Sequence, residues 1–318
     1  MANSREIKVG VSACLLGEQV RYDGGHKRDR YVSEVLGEFF SFVPVCPEVE
    51  LGLGVPRETL RLVRGKRGIE LVAPASSSDH TDRMQRFARR RVAELRRLGL
   101  CGYILKEGSP SCGMERVRTY TPAGTPAPSS RGRFAEALLS ALPLLPVEEE
   151  GRLCDPALRE SFVERVFAYH RLRALFDARW TVGQLTAFHV AEELLLMAHV
   201  PKAVSDLGRI VGRAKRLGRR EVAERYQHGY MSALARRASR ARHANVLQHM
   251  LGYLGDRIDR GDEKEIVEAI EAFRRGRSPL LLPLTLVRRH VRRHRIEYLA
   301  GQSYLEPHPY ELELRNRV

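Results

Sequence analysis

Lys8-Val9-Gly10-Val11-Ser12-Ala13-Cys14 is the stretch that decides the fold of the first half of this 318-residue chain. It is a short, valine-rich apolar run that ends ahead of a glycine turn at Gly17, the pattern of a strand buried on both faces. Three further runs repeat it. Phe40-Ser41-Phe42-Val43-Pro44-Val45-Cys46 follows an amphipathic segment at about 28–39, Gly68-Ile69-Glu70-Leu71-Val72-Ala73 stands third, and Gly102-Tyr103-Ile104-Leu105-Lys106 follows a helical pattern over about 80–99. Buried-type strands separated by helices point to a parallel sheet, because parallel neighbours need a crossover that is usually helical. Residues 1–145 are therefore predicted to form one α/β domain with a Rossmann-like parallel sheet, within which the Pro-, Gly- and Ser-rich residues 121–133 form a loop.

The next break runs from Pro143 to Pro156 and includes the acidic run Glu148-Glu149-Glu150, so residues 146–156 are read as a linker. Beyond it the period changes. Phe162, Val166, Tyr169 and Leu172 recur at spacings of three and four, and residues 157–318 are predicted to be an all-α domain of six or seven helices. Two domains agree with the chain length at roughly 100–200 residues each.

The 54 Lys and Arg against 39 Asp and Glu leave a net charge of +15. Residues 1–150 hold 23 basic and 19 acidic groups, whereas residues 151–318 hold 31 and 20, so the second half supplies +11. Such an excess favours a polyanionic partner, with nucleic acid ahead of a membrane. A hydrophobic content of 43% excludes a disordered chain. The opening residues 1–10 lack the apolar core of a secretory signal, and no apolar run approaches the length of about 18 that a membrane span needs, so a cytosolic protein is expected.

In a cytosolic protein grouped cysteines more often serve metal or catalysis than disulfides. Cys14 follows the first predicted strand, Cys46 ends the second, and Cys112 lies in Lys106-Glu107-Gly108-Ser109-Pro110-Ser111-Cys112-Gly113, the loop that leaves the fourth. The carboxyl ends of parallel strands share one edge, where ligand sites of open α/β sheets form. Three thiols distant in sequence are thus expected to meet in space. They suit a soft metal centre: a zinc completed by a fourth ligand, or a 4Fe-4S cluster with one iron free of protein. Cys101, ahead of the fourth strand, and Cys154, in the expected linker, are read as ordinary small apolar residues.

The blocks Val11-Ser12-Ala13-Cys14-Leu15-Leu16-Gly17 with Arg21-Tyr22-Asp23-Gly24, Pro44-Val45-Cys46-Pro47-Glu48 with Gly52-Leu53-Gly54-Val55-Pro56-Arg57, and Lys106 with Ser109-Pro110-Ser111-Cys112-Gly113 resemble the thiouracil desulfidase family over residues 7 to about 145. The resemblance implies a 4Fe-4S cluster held by Cys14, Cys46 and Cys112, with the fourth iron open. The segments Phe188-His189, Met197-Ala198-His199, His243 to His249 with Gly252-Tyr253, and Tyr298 to Gln302 with Tyr304-Leu305 resemble a helical domain often fused to that family. Two-domain chains of this layout resemble bacterial tRNA 4-thiouridine desulfidases, which implies tRNA as partner, with a free thiolated nucleobase or nucleoside as a smaller substrate.

Non-redox removal of sulfur needs a thiophile for the sulfur and water for the carbon. Glu48, two residues past Cys46, is the expected general acid and base, a role the resemblance also implies. Ser109 is a second expected catalytic residue, with a turn serine ahead of Pro110 as the alternative. Ser12, Asp23 and Lys106 are expected to orient the substrate, although Asp23 equally suits the Asp23-Gly24-Gly25 turn. For RNA the candidates are Arg213, Lys215, Arg216, Arg219 and Arg220 in one cluster, and Arg288, Arg292 and Arg295, which on a helix would share one face. Arg236, Arg237, Arg240 and Arg242 form a third cluster. Two other readings stay open: an iron-sulfur enzyme that inserts sulfur into tRNA, disfavoured by the lack of a P-loop signature, and a non-catalytic RNA-binding protein with a structural or redox-sensing metal.

Overall fold

Val9 and Val11 of β1 (Lys8–Ser12) expose no surface, because the strand has neighbours on both edges and cover on both faces. The computed structural model describes residues 6–309, 312 and 314–316. The chain divides into two units, Met1–Asp155 and Pro156–Val318. In chain order the first unit contains β1, β2 (Ser41–Val45), α1 (Pro47–Glu50), β3 (Arg61–Gly65), β4 (Gly68–Ala73), β5 (Ser78–Asp79), α2 (Thr81–Leu98), β6 (Gly102–Leu105), β7 (Val117–Tyr120), β8 (Pro126–Ser130), α3 (Arg133–Ala141) and β9 (Val147–Glu149).

A four-stranded sheet runs β2-β1-β6-β9, and every pairing in it is parallel, with Val9 opposite both Phe42 and Gly102 and Tyr103 opposite Val147. The predicted α/β class is present. Two placements differ from expectation. The run 68–73 is β4 of a second, five-stranded mixed sheet, β5-β4-β3-β7-β8, where it pairs antiparallel with β3. Periodicity alone does not say which sheet a strand joins. Residues 121–133, expected as a loop, contain β8, whose prolines are tolerated because it is an edge strand paired only to β7. In the stretch 146–156, expected as a linker, Val147–Glu149 is the edge strand of the parallel sheet, with Glu148 and Glu149 buried.

The second unit is helical: α4 (Pro156–Phe176), α5 (Val182–His199), α6 (Pro201–Gly212), α7 (Arg219–Leu234), α8 (Arg240–Leu254), α9 (Arg260–Arg274), α10 (Leu281–Arg293) and the one-turn α11 (Glu297–Ala300). Starts are set by local chemistry. Thr181 and Gln184 form a capping box on α5, Ser239 caps α8, and Asp259 accepts from two amides at the start of α9. Buried polar side chains tie the helices together. Gln302 accepts from the Leu194 amide and donates to the Val190 carbonyl, and Glu192, 1% exposed, accepts from Arg171, Tyr230 and Ser303.

His199 is sandwiched between two acceptors, Glu164 Oε1 at 2.7 Å and the Arg236 carbonyl at 2.6 Å, so both ring nitrogens carry protons and the buried ring is cationic. Burial opposes that charge and the Glu164 carboxylate outweighs it, so the imidazole pKa lies above its ordinary value. Glu160, beside Arg315, is different. Its burial pushes the carboxyl up to about 7, and one oxygen has no hydrogen-bond partner among the described residues. Between about pH 4.5 and 7 the folded state therefore holds a proton that the unfolded chain releases, and stability falls as pH rises through that window. Glu160→Gln is expected to raise the melting temperature by a few degrees at pH 8 and to leave it almost unchanged at pH 4.5, followed by far-ultraviolet circular dichroism. No gain at pH 8 would contradict this assignment.

Candidate active site and metal centre

β1 is the strand where the sheet changes direction: β2 lies on one side of it and β6 on the other, so the crevice at their carboxyl ends is the expected ligand position. Cys14 lies in the 3-10 turn Ala13–Leu16 that follows β1 directly. Gly17 closes that turn at φ 99°, a left-handed conformation suited to glycine, and its amide bonds the Ala13 and Cys14 carbonyls. Cys46 follows β2 and stands at the start of α1, with Pro47 at the first helical position. Cys112 lies in the loop after β6, where the Gly113 amide bonds the Ser109 carbonyl at 2.8 Å. All three thiols line one cavity of about 610 Å³, within the usual size range of ligand sites. Cys101 sits at the opposite, amino end of β6, and Cys154 is exposed in a 3-10 turn.

Burial pushes Cys14 up to about 11 and holds Cys46 and Cys112 above the ordinary thiol range. The thiols also raise one another: Cys46 acts on Cys14, and both act on Cys112. A cation bound among these thiols would favour their ionised form, the state in which cysteine ligates a metal. The donor set is soft and anionic when ionised, so it fits iron or another thiophilic metal. Among the described residues, no group of three or more His, Cys, Asp or Glu side chains is already drawn together as a metal site.

Glu48 projects from α1 into the same cavity. Its Oε2 accepts from Arg57 Nε at 2.9 Å and Nη2 at 2.7 Å, and its Oε1 accepts from the Ser111 hydroxyl at 2.8 Å. A carboxylate offers about four acceptor positions, so three donors fix the group and leave one lone pair for a further proton. Ser12 accepts from the Lys106 amide at 2.9 Å and lines the cavity together with Cys112. Lys106 pairs with Glu150, which also accepts from the Glu107 amide at 2.8 Å. Ser109 lines the cavity and accepts from the Ser111 and Cys112 amides at 3.2 and 3.1 Å, the turn geometry, which leaves its hydroxyl proton to donate elsewhere. Asp23 is not brought into the cavity. It accepts from the Gly25 amide at 3.0 Å in an exposed turn, and that hydrogen bond holds its carboxyl below the usual range.

Arg57 and Ser111 carry no site role on sequence alone, and the acidic run Glu148-Glu149-Glu150 is expected only in the linker. Ser111 is fully buried and its partner Glu48 lies 63 residues away, a pairing no local pattern reveals. Glu149 and Glu150 hold the Cys112 loop from below, through the Met114 amide at 2.7 Å and the Glu107 amide. The cavity wall is also cationic: Lys27, Arg116 and Arg118 line it without an ion-pair partner among the described residues.

The proposed RNA residues separate into two kinds. Arg213, Lys215 and Arg216 are exposed in the turn between α6 and α7, and Arg219 and Arg220 open α7, with Arg219 over the Trp180 ring and Arg220 paired to Glu224. The expected three-arginine face is not formed. α10 ends at Arg293, so Arg295 leaves the helical register with φ 51°, while Arg288 and Arg292 both pair with Glu306. Arg240 and Arg242 are tied to the Phe273 and His199 carbonyls.

No helix among the described residues is long and apolar enough to cross a membrane. A family model described as 2-thiouracil desulfurase matches residues 9–150, and one described as a protein of unknown function, DUF1722, matches residues 193–309. The Escherichia coli (strain K12) protein YbgA is 29% identical over 158 residues, covering 49% of this chain and 94% of its own length. The Bacillus subtilis (strain 168) protein YbbK is 32% identical over 119 residues, covering 36% of this chain and 78% of its own. A solved structure titled as the [4Fe-4S]-dependent thiouracil desulfidase TudS is 34% identical, covering 50% of this chain and all of that one, with a TM-score of 0.40. The chain belongs to the 2-thiouracil desulfurase family through residues 9–150, and carries a DUF1722 region in its helical half.

Proposed function

We propose that the protein is a tRNA desulfidase that converts 4-thiouridine to uridine with a 4Fe-4S cluster on Cys14, Cys46 and Cys112. The observation that carries this reading is the arrival of three thiols and an oriented carboxylate in one cavity. When bound, such a cluster supplies an iron without a protein ligand, a Lewis acid for the sulfur of a thiocarbonyl. The reaction balances without electrons: water gives its oxygen to the ring carbon, and the sulfur leaves as sulfide with the two protons.

Glu48 takes a proton from the water through its remaining lone pair, and Arg57 and Ser111 keep that lone pair aimed. The Ser109 hydroxyl is left to donate to the base or the departing sulfur. Ser12 holds the Lys106 backbone at the cavity through its hydrogen bond to the Lys106 amide. The substrate class follows from charge. A free thiobase is neutral, whereas Lys27, Arg116 and Arg118 at the cavity and the exposed Arg213, Lys215 and Arg216 suit phosphates. On anaerobically reconstituted protein, 4-thiouridine in tRNA should be desulfurised faster than free 4-thiouracil. tRNA affinity should fall about tenfold or more between roughly 50 and 200 mM salt. Equal rates on both substrates together with salt-independent binding would contradict the RNA reading.

A further inference from the structure

The outward face of α8 differs in composition from the rest of the helical surface. Asn245, Gln248, His249, Gly252 and Tyr253 fall at i, i+3, i+4, i+7 and i+8 and are all exposed, while His243, Ala244, Val246, Leu247 and Met250 are buried. That exposed stripe holds no Lys, Arg, Asp or Glu over two turns, and the exposed Ala241, one turn before Asn245, extends it toward the start of the helix. The outward positions of the next helix, α9, include Glu263, Lys264, Glu265 and Glu268. The contrast is sharper because the whole chain has only three Asn and six Gln, of which one each lies here. The Asn245 and Gln248 amides have no hydrogen-bond partner among the described residues, so nothing internal accounts for them.

Tyr253 extends the stripe into an aromatic platform. Its ring, in a residue 38% exposed, lies 4.7 Å from the Tyr298 ring at 32°, and the His249 ring meets its edge at 5.3 Å. Tyr298 is fixed from beneath by a hydrogen bond to Glu193 at 3.0 Å, so the platform is ordered before anything binds. Gly252, one residue before Tyr253, leaves open space where a Cβ would stand, with nothing within 4 Å, so a ligand can reach the helix backbone there. Arg257, exposed one turn after Tyr253, donates through Nη1 to the Tyr253 carbonyl at 2.9 Å. A guanidinium has five N–H donors, so this bond anchors the group beside the ring and leaves donors free for an anion.

We infer that this face binds unpaired RNA nucleotides: one base stacks on Tyr253, the Asn245 and Gln248 amides read base edges, and Arg257 takes a flanking phosphate. A stacking ring serves because every base offers a π-face, and a primary amide serves because it both donates and accepts. The inference rests on the RNA reading above and adds where and how the helical half holds single-stranded segments.

The test is equilibrium binding of the full chain to an unmodified tRNA transcript, a readout that needs no cluster and no turnover. Tyr253→Ala should weaken binding about tenfold with an unchanged salt slope, and Tyr253→Phe should restore it. A fully paired RNA duplex should be bound equally by wild type and Tyr253→Ala. Tyr253→Ala within twofold of wild type on tRNA would overturn the inference while leaving the RNA reading intact. A weaker complex with a shallower salt slope would also overturn it, because the loss would then be of phosphate contacts. Absence of salt-dependent tRNA binding by the wild type would remove both.

Discussion

Cys112→Ser is expected to lose cluster iron and desulfidation together, down to background, while the far-ultraviolet spectrum stays that of the wild type. Serine nearly matches the thiol in shape but replaces a soft, ionisable ligand by a hard alcohol that does not deprotonate near neutral pH. The position is unforgiving because the loop is held at several points: the Ser109 hydroxyl on the Cys112 amide, Glu150 on the Glu107 amide, and Glu149 on the Met114 amide. A rigid loop has little freedom to present a substitute ligand. Cys101→Ala supplies the control, since Cys101 is equally buried but lies at the amino end of β6, away from the cavity, and should leave iron and activity in place. Retained iron with full activity in Cys112→Ser would remove this cysteine from the ligand set.

Glu48→Gln is expected to keep the iron and to lower turnover by about 10²–10⁴. The amide fills the same volume and its oxygen still accepts from Arg57, so packing around α1 should survive. What it loses is basicity. The position of Ser111 sharpens the expectation: its hydroxyl lies 2.8 Å from Glu48 Oε1 and is fully buried, so Ser111→Ala should lower turnover less than Glu48→Gln, by loosening the carboxylate without removing it. Glu48→Gln within tenfold of wild type would show that another group activates the water, and Ser109 would be the first to examine.

The sequence made the thiols legible and left their support hidden. Cys14, Cys46 and Cys112 stand where strand-like runs end, and parallel strands place such ends on one edge, so a local pattern and one general rule brought them together. Arg57, Ser111 and Glu150 obey no such rule. Each acts through a partner 9 to 63 residues away, and those distances emerge only once the sheet is assembled. Glu148-Glu149-Glu150 resembles a solvated charge run, yet the apolar Leu144-Leu145-Pro146-Val147 ahead of it marked an incoming edge strand. Arg295 shows the opposite error: a spacing of three is a helical face only while the helix lasts, and α10 stops two residues earlier. Asp23 divides between site and turn on sequence, and its hydrogen bond to the Gly25 amide decides for the turn.

A single-turnover balance on tRNA that carries 4-thiouridine decides whether the protein is an iron-dependent, non-redox desulfidase. Anaerobically reconstituted full-length protein, with iron and acid-labile sulfide measured in the same sample, is incubated with the tRNA without any reductant or oxidant. 4-Thiouridine should disappear, uridine should appear in equal amount, one sulfide should be recovered for each base converted, and the chelated, iron-free protein should do none of this. An intact cluster beside unchanged 4-thiouridine, or conversion that persists after the iron is removed, would contradict that assignment.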